Sequence, residues 1–298
     1  MGYYGDFVKQ YLTIAYPELN FTYVSIDKYE GKGSSQGYSL LQCKNYLQDP
    51  FIFIACDTII LDNLFDSNHT ITSNTIYSYN YKNSTSYSSI KCQKNKIISI
   101  HDKGELNIDY IYIGMTEIFN YQLFWDNLEN IYKRDIYDLS LGDINVYAEM
   151  LDQNIEFNNK IVKEWYDAGN INIFNKKINK NCNYNVLTKY DESISFLEDK
   201  VIKFFYSKDK NIKRVQRGEL LNDIVPKIFN STDNFHSMEK INSRPISEIY
   251  KNDLIYKLLN WSQKNLWIKY ETPKNFKTTL YKFYYQKTIE RIKKALNQ

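Results

Sequence analysis

The sequence predicts an α/β protein: a Rossmann-like, mostly parallel sheet with helices on both faces, then a small α+β domain and C-terminal helices. Three observations carry this. The run Phe51-Ile-Phe-Ile-Ala-Cys56, bounded by Asp49-Pro50, has the pattern of a buried strand covered on both faces. A strand, a glycine loop and a helix precede it in the order of a βαβ unit. Beyond residue 185 the pattern changes to short strands around one helix, followed by long helical stretches.

The elements follow in order. Phe7, Val8, Tyr11, Leu12 and Ala15 have a helical period over 5–16, closed by Pro17, and Phe21–Ile26 reads as a strand. Glu30–Gly37 is a loop holding three of the ten glycines, and Tyr38–Leu47 is a helix. Residues 74–81 and 86–101 alternate polar and apolar, with a hairpin turn at Lys94-Asn95-Lys96. Tyr110–Gly114 is a strand candidate, and Phe119–Leu128 and Asp143–Leu151 are helical, the second capped by its Asp-Ile-Asn start. Asn170–Asn185 is a polar Asn/Lys run, which divides the chain into domains 1–175 and 186–298 around a linker at 176–185. In the second domain Ser193–Leu197 and Lys200–Tyr206 are strands, Lys210–Asn222 is a helix and Pro226–Phe229 and Asn234–Lys240 are extended. Ser247–Leu266 and Lys274–Leu296 are helical.

Composition narrows the function. The chain has 298 residues, with 38 Lys and Arg against 35 Asp and Glu, a net charge of +3 that argues for neither nucleic acid nor a membrane surface as partner. Cys43, Cys56, Cys92 and Cys182 form no CxxC pair, and with three histidines a zinc site is not expected. Cys56, inside the apolar run, reads as a small buried hydrophobe. The pattern suits a reducing cytoplasm, and no apolar stretch is long enough to span a bilayer. The 28 tyrosines, beside abundant Asn, Lys and Ile, reflect base composition rather than a stacking surface.

Asp57 ends the apolar run, where α/β sheets bind ligands; it can cap the next turn or hold Mg²⁺ against a substrate phosphate. Asp167, in Trp165-Tyr-Asp-Ala-Gly169, supplies a second carboxylate on a separate element. Gly31-Lys-Gly33-Ser34-Ser-Gln-Gly37, with Ser39 just beyond, has the backbone freedom to approach a ligand closely and leads into a helix N-terminus that suits an anion.

With these residues the chain resembles the MobA-like nucleotidyltransferases that make nucleotide sugars and CDP-choline-like compounds, over about residues 1–175. The resemblance implies that Gly31, Gly33, Ser34, Gly37 and Ser39 contact the nucleotide and that Asp57 and Asp167 bind Mg²⁺. It also implies that Lys103 faces substrate phosphate and that the acceptor packs against Gly114. The family's opening strand and phosphate-cradling loop have no counterpart in this sequence. Lys200-Val-Ile-Lys203-Phe-Phe resembles the ATP-lysine strand of aminoglycoside/choline kinases, implying a Lys203–Glu219 pair and a hinge at Met238. The kinase H-G-D segment is absent, and the alternative for Val201–Phe205 is a plain edge strand. The expected function is Mg²⁺-dependent transfer of a nucleotide from an NTP to a sugar phosphate or phosphocholine-like acceptor, for surface polysaccharide synthesis. The alternative is a non-catalytic binding or assembly module of a split nucleotidyltransferase–kinase, its missing parts on a neighbouring chain.

Overall fold

The structure is a computed structural model that describes residues 1–81, 85–105, 108–169, 189–221, 223–244, 248–249, 252–267, 271 and 274–296. The first half runs α1 (Gly5–Ala15), α2 (Gln36–Leu41), β1 (Phe51–Ile54), β2 (Thr58–Ile60), β3 (Thr75–Tyr79), β4 (Ser89–Gln93), β5 (Lys96–His101) and β6 (Tyr110–Ile118). Then come α3 (Tyr121–Arg134), α4 (Asp143–Asp152), β7 (Asn158–Ile161) and β8 (Trp165–Asp167). The second half holds β9 (Glu192–Phe196), β10 (Lys200–Phe205), α5 (Lys208–Leu220), β11 (Ile228–Ser231), β12 (Phe235–Glu239), α6 (Asn252–Asn265), α7 (Phe276–Leu280) and α8 (Lys287–Leu296).

The α/β class holds, but the sheet is not mostly parallel. Its six strands follow the order β1-β6-β3-β7-β5-β4, and only β3 and β7 run parallel. Strand β1, expected to be buried and covered on both faces, lies at the edge with Phe51 opposite Ile118, and Ile54 is half exposed. A short apolar run does not distinguish a central parallel strand from an antiparallel edge strand beside a buried neighbour. Cys56 is accordingly exposed, in the turn after the strand.

Alternation along β6 sets the two faces. Tyr112 and Ile118 point to one side, where Phe124, Trp125 and Leu128 of α3 and Val146, Tyr147 and Met150 of α4 close the main core. Ile111, Ile113 and Met115 point to the other, where Leu64, Phe65 and Trp165 cover them. Helices therefore pack on one face, and a loop with the two-stranded β2–β8 ribbon covers the other, in place of helices on both. The expected strand Phe21–Ile26 is extended but, among the described residues, joins no sheet; Ile26 N donates to Met1 O (3.0 Å) and the Met1 amine donates to Val24 O. The expected helix Tyr38–Leu47 is the shorter α2, begun at Gln36, then a 3₁₀ turn at Lys44–Tyr46.

A second, four-stranded antiparallel sheet has the order β11-β12-β10-β9. Helix α1, expected in the first domain, packs on this sheet instead: Ile14 and Ala15 meet Ile202 and Phe235, with Phe7 and Tyr11 alongside. Met1–Leu220 with Lys227–Lys240 forms one compact unit, and Leu221–Pro226 with Ile241–Gln298 a second. The expected linker 176–185 lies outside the described residues.

One polar side chain ties three elements of the first sheet. Buried Asn74 donates from Nδ2 to Asn120 Oδ1 (2.7 Å), while its Oδ1 accepts from Phe119 N (2.9 Å) and Asn120 N (3.1 Å). Its backbone carbonyl accepts from Asn158 N of β7 (2.9 Å). Asn74→Ala removes the partner of two backbone donors and of an amide oxygen at a part-buried site. The expected cost is about 2–4 kcal/mol, read as a lower urea midpoint at unchanged slope.

Candidate functional site

Strand β1 ends in a tight turn, Ala55–Asp57, and the chain re-enters extended structure as β2. That strand pairs antiparallel with β8, placing Thr58 opposite Asp167 and Ile60 opposite Trp165. The pairing continues one step beyond the ribbon, where Ala168 N donates to Asp57 O (2.8 Å). The two acids thus converge. A Cβ on Gly169 would lie 3.0 Å from Asp167 Oδ1 and 3.3 Å from Asp57 Oδ2, so both carboxylates approach this glycine and a side chain there would crowd them. Gly169 N donates to Asp167 Oδ1 (2.8 Å) and the Tyr87 hydroxyl donates to Asp167 Oδ2 (2.9 Å). Burial, reinforced by that bond to Asp167, pushes the Tyr87 phenol far up, so it stays a donor.

The turn that carries Asp57 is moulded on Gly114. This residue has φ +75°, and a Cβ on it would stand 2.8 Å from Ala55 Cβ and 3.0 Å from Thr58 Oγ1. Ala55 N donates to Gly114 O (2.7 Å), and Thr58 Oγ1 donates to Ile113 O. Gly114 therefore combines a left-handed backbone with a contact too close for any side chain.

Asp57, Asp167, Lys103 and Gly114 all line one cleft of about 610 Å³. Asp143, Tyr112, Asp102 and Gln36 line it as well. Asp143 is not the expected cap of α4. Gly142 holds the cap position, and Asn145 Oδ1 accepts from Gly142 N (2.8 Å). Asp143 is instead buried and accepts from the Tyr112 hydroxyl. Burial raises its pKa, opposed by the bond from Tyr112.

The glycine loop borders a second cleft of about 600 Å³, lined by Gly31, Ser34, Ser39, Lys28, Tyr29 and Gln36 among others. Gln36 belongs to both clefts, so they adjoin. Gly31 (φ +75°) and Gly33 (φ +86°) take backbone angles that favour glycine. Ser34 Oγ donates to Gly31 O (2.7 Å), and Ser35 caps α2 by accepting from Tyr38 N (3.0 Å). Gly37 lines neither cleft. It lets α2 close on the chain at Leu141, whose Cγ would lie 2.4 Å from a Cβ, and its N donates to Leu141 O (2.8 Å).

The second sheet does not form the pair expected of a kinase-like lobe. Lys203 is half-buried in β10, its pKa lowered first by burial and then by Arg214, with Glu192 and Lys189 as further charged neighbours. Glu219 is exposed on α5 because the helix presents Gly218 to the sheet, where a Cβ would stand 2.3 Å from Ile228 Cδ1. Met238 pairs with Val201 and Ile228 within the sheet. His236, opposite Lys203, is pushed down to about 4 by burial and by Lys203, and its Nδ1 lies 2.7 Å from Asn211 Oδ1.

Sequence reasoning missed Tyr87, Tyr112 and Asp143. One tyrosine among 28 carries no local signal, and an acid at a helix start is indistinguishable from an ordinary cap. Among the described residues no group of three His, Cys, Asp or Glu gathers to hold a metal alone. The converging pair Asp57 and Asp167 still suits Mg²⁺, which takes one or two protein carboxylates and completes its shell with water and phosphate oxygens.

No family model and no curated protein matches the chain. Among solved structures it is similar to a CTP:phosphocholine cytidylyltransferase from Streptococcus pneumoniae, at 16% identity over 57% of this chain and 72% of that one, with TM-score 0.47. It is also similar to the inositol-1-phosphate CTP transferase from T. maritima, at 14% identity over 60% and 72%, with TM-score 0.46.

Two outcomes follow from the cleft geometry. Gly114→Ala forces the Ala55–Asp57 turn outward and strains a left-handed residue, for an expected loss of about 1–3 kcal/mol in thermal or urea unfolding. Asp143→Asn keeps an acceptor for Tyr112 but removes a titrating group whose folded-state pKa is raised. The folded wild type binds the extra proton, so its stability falls as pH rises above the ordinary carboxylate value. The Tm difference, variant minus wild type, should grow in favour of Asn between pH 4 and pH 7.

Proposed function

We propose that this chain carries out nucleotidyl transfer, moving an NMP group from an NTP to a phosphorylated small molecule. The observation that supports the reading is the convergence of Asp57 and Asp167 at Gly169, in a cleft that also holds Lys103 and adjoins the glycine-loop cleft. An acceptor phosphate oxygen forms a bond to the α-phosphorus of the NTP. The bond from that phosphorus to the bridging oxygen breaks, and its electron pair leaves with pyrophosphate. Asp57 and Asp167 would hold Mg²⁺, which when bound supplies charge neutralisation on the phosphates.

In this reading the chain's own groups do the positioning. Tyr87 holds the Asp167 carboxylate by one oxygen and leaves the other directed at Gly169. Lys103 meets the acceptor phosphate at the cleft wall. Gly31, Ser34 and Ser39 border the nucleoside end, where Lys28 and Tyr29 add a cation and a ring face, while Gly33 is buried and lines neither cleft. Gly37 supports this indirectly by seating α2. The rate comes from orientation and electrostatics, since no protein atom forms a bond to the substrate.

A second reading has one observation in its favour: among the described residues, β1 has a sheet neighbour on one side only. In that reading the chain binds nucleotide as one part of a split enzyme. The two separate in a single assay, pyrophosphate release with a panel of NTPs and of sugar phosphates or phosphocholine. Transfer requires turnover that chelation abolishes, that Mg²⁺ restores, and that Asp57→Asn lowers by about a hundredfold or more. Nucleotide binding without turnover for any acceptor supports the split module, and turnover unchanged in Asp57→Asn removes the carboxylate pair from the chemistry.

A further inference from the structure

The net charge of +3 conceals a division. Residues 241–298 hold twelve Lys and Arg against four Asp and Glu, while residues 1–240 hold 26 against 31. The basic segment contains α6, α7 and α8, which are amphipathic and have apolar faces exposed to solvent. On α6, Ile255, Leu258, Leu259 and Trp261 are each more than two-fifths exposed. On α7 and α8, Leu280, Ile292 and Leu296 are exposed, Leu296 at 80%.

The join between α7 and α8 shows that this face is continuous. In a straight α-helix, at 3.6 residues per turn, Phe276 and Leu280 would lie opposite Ile292 and Leu296. Tyr281–Gln286 is instead a π-helical segment, whose wider turns retard the winding. That shift brings Phe276, Leu280, Tyr284, Ile292 and Leu296 toward one stripe. Lys282, Lys287, Arg291 and Lys293 fall on its flanks and back.

We infer that this C-terminal segment binds the surface of an anionic lipid bilayer. Helices with a Lys/Arg-rich polar face and Trp, Phe and Leu on the other lie in the interfacial plane, and Tyr and Trp prefer that depth. No described helix is long and apolar enough to cross a membrane, so the mode is adsorption. The positive charge complements anionic headgroups, and the Leu and Ile content separates this surface from a nucleic-acid site, where stacking uses aromatic rings.

The test is sedimentation of the full chain with vesicles of phosphatidylcholine alone and of an equimolar mixture with phosphatidylglycerol, at low and high salt. The expected result is binding to the mixed vesicles only, reversed by salt. Ile292→Asp/Leu296→Asp should abolish it. Lys287→Glu/Arg291→Glu/Lys293→Glu, which leaves the apolar stripe intact, should weaken it about a hundredfold. Both variants should keep the wild-type thermal unfolding profile, which separates lost binding from lost folding. Equal binding to neutral vesicles, or binding untouched by both variants, overturns the inference. So does an absence of vesicle binding, whether the chain captures a single-stranded oligonucleotide instead or dimerises through Ile292.

Discussion

The pairing of Thr58 with Asp167, in a ribbon of three residues on each side, is the constraint from which the candidate site is built. Two strands this short are not stable alone. The ribbon persists because Ile60 and Trp165 lie against the buried row Ile111, Ile113 and Met115, and because Ala55 and Thr58 are pinned to β6 at Ile113 and Gly114. The sheet core fixes β6, β6 fixes the turn, and the turn fixes Asp57 beside a strand that arrives from far along the chain. Removing any link would let the carboxylates drift apart, since like charges gain nothing by staying together.

That repulsion also bears on the proposed chemistry. Asp57, Asp102, Asp143 and Asp167 line the cleft with one lysine, Lys103, an arrangement that repels a triphosphate unless a cation intervenes. Asp143 is a special case, because burial raises its pKa while the Tyr112 hydroxyl, by donating to it, favours the charged form. The two carboxylates at Gly169 are where a divalent ion has the most to neutralise. In the proposed reading, charge count and geometry point to the same place.

Much of this was legible in the residues. Phe51–Ile54 is a strand, Asp57 follows it at a turn, and the Lys94-Asn95 hairpin lies between β4 and β5. The direction of the strands was not legible, because pairing is decided by partners distant in sequence and β1 packs beside an antiparallel neighbour. Nor was the place of α1, whose apolar stripe shows that it is buried but not against which sheet. At the cleft, Asp57, Asp167, Lys103 and Gly114 come together, while Gly37 serves packing. Glu219 fails as a partner for Lys203 for a local reason: Gly218 occupies the inward position, and helical geometry turns the next residue away.

The same limit applies to charge. Averaged over 298 residues, +3 excludes nothing about a part of the chain, and the acids of residues 1–240 hide the lysines beyond them. Periodicity has a matching blind spot, since a strict 3.6-residue reading splits the apolar positions of Phe276–Leu296 between two faces. The π-helical turn at Tyr281–Gln286 reunites them. Backbone geometry thus turns an unremarkable helical sequence into one apolar stripe with basic flanks, and only then does the local charge acquire a physical use.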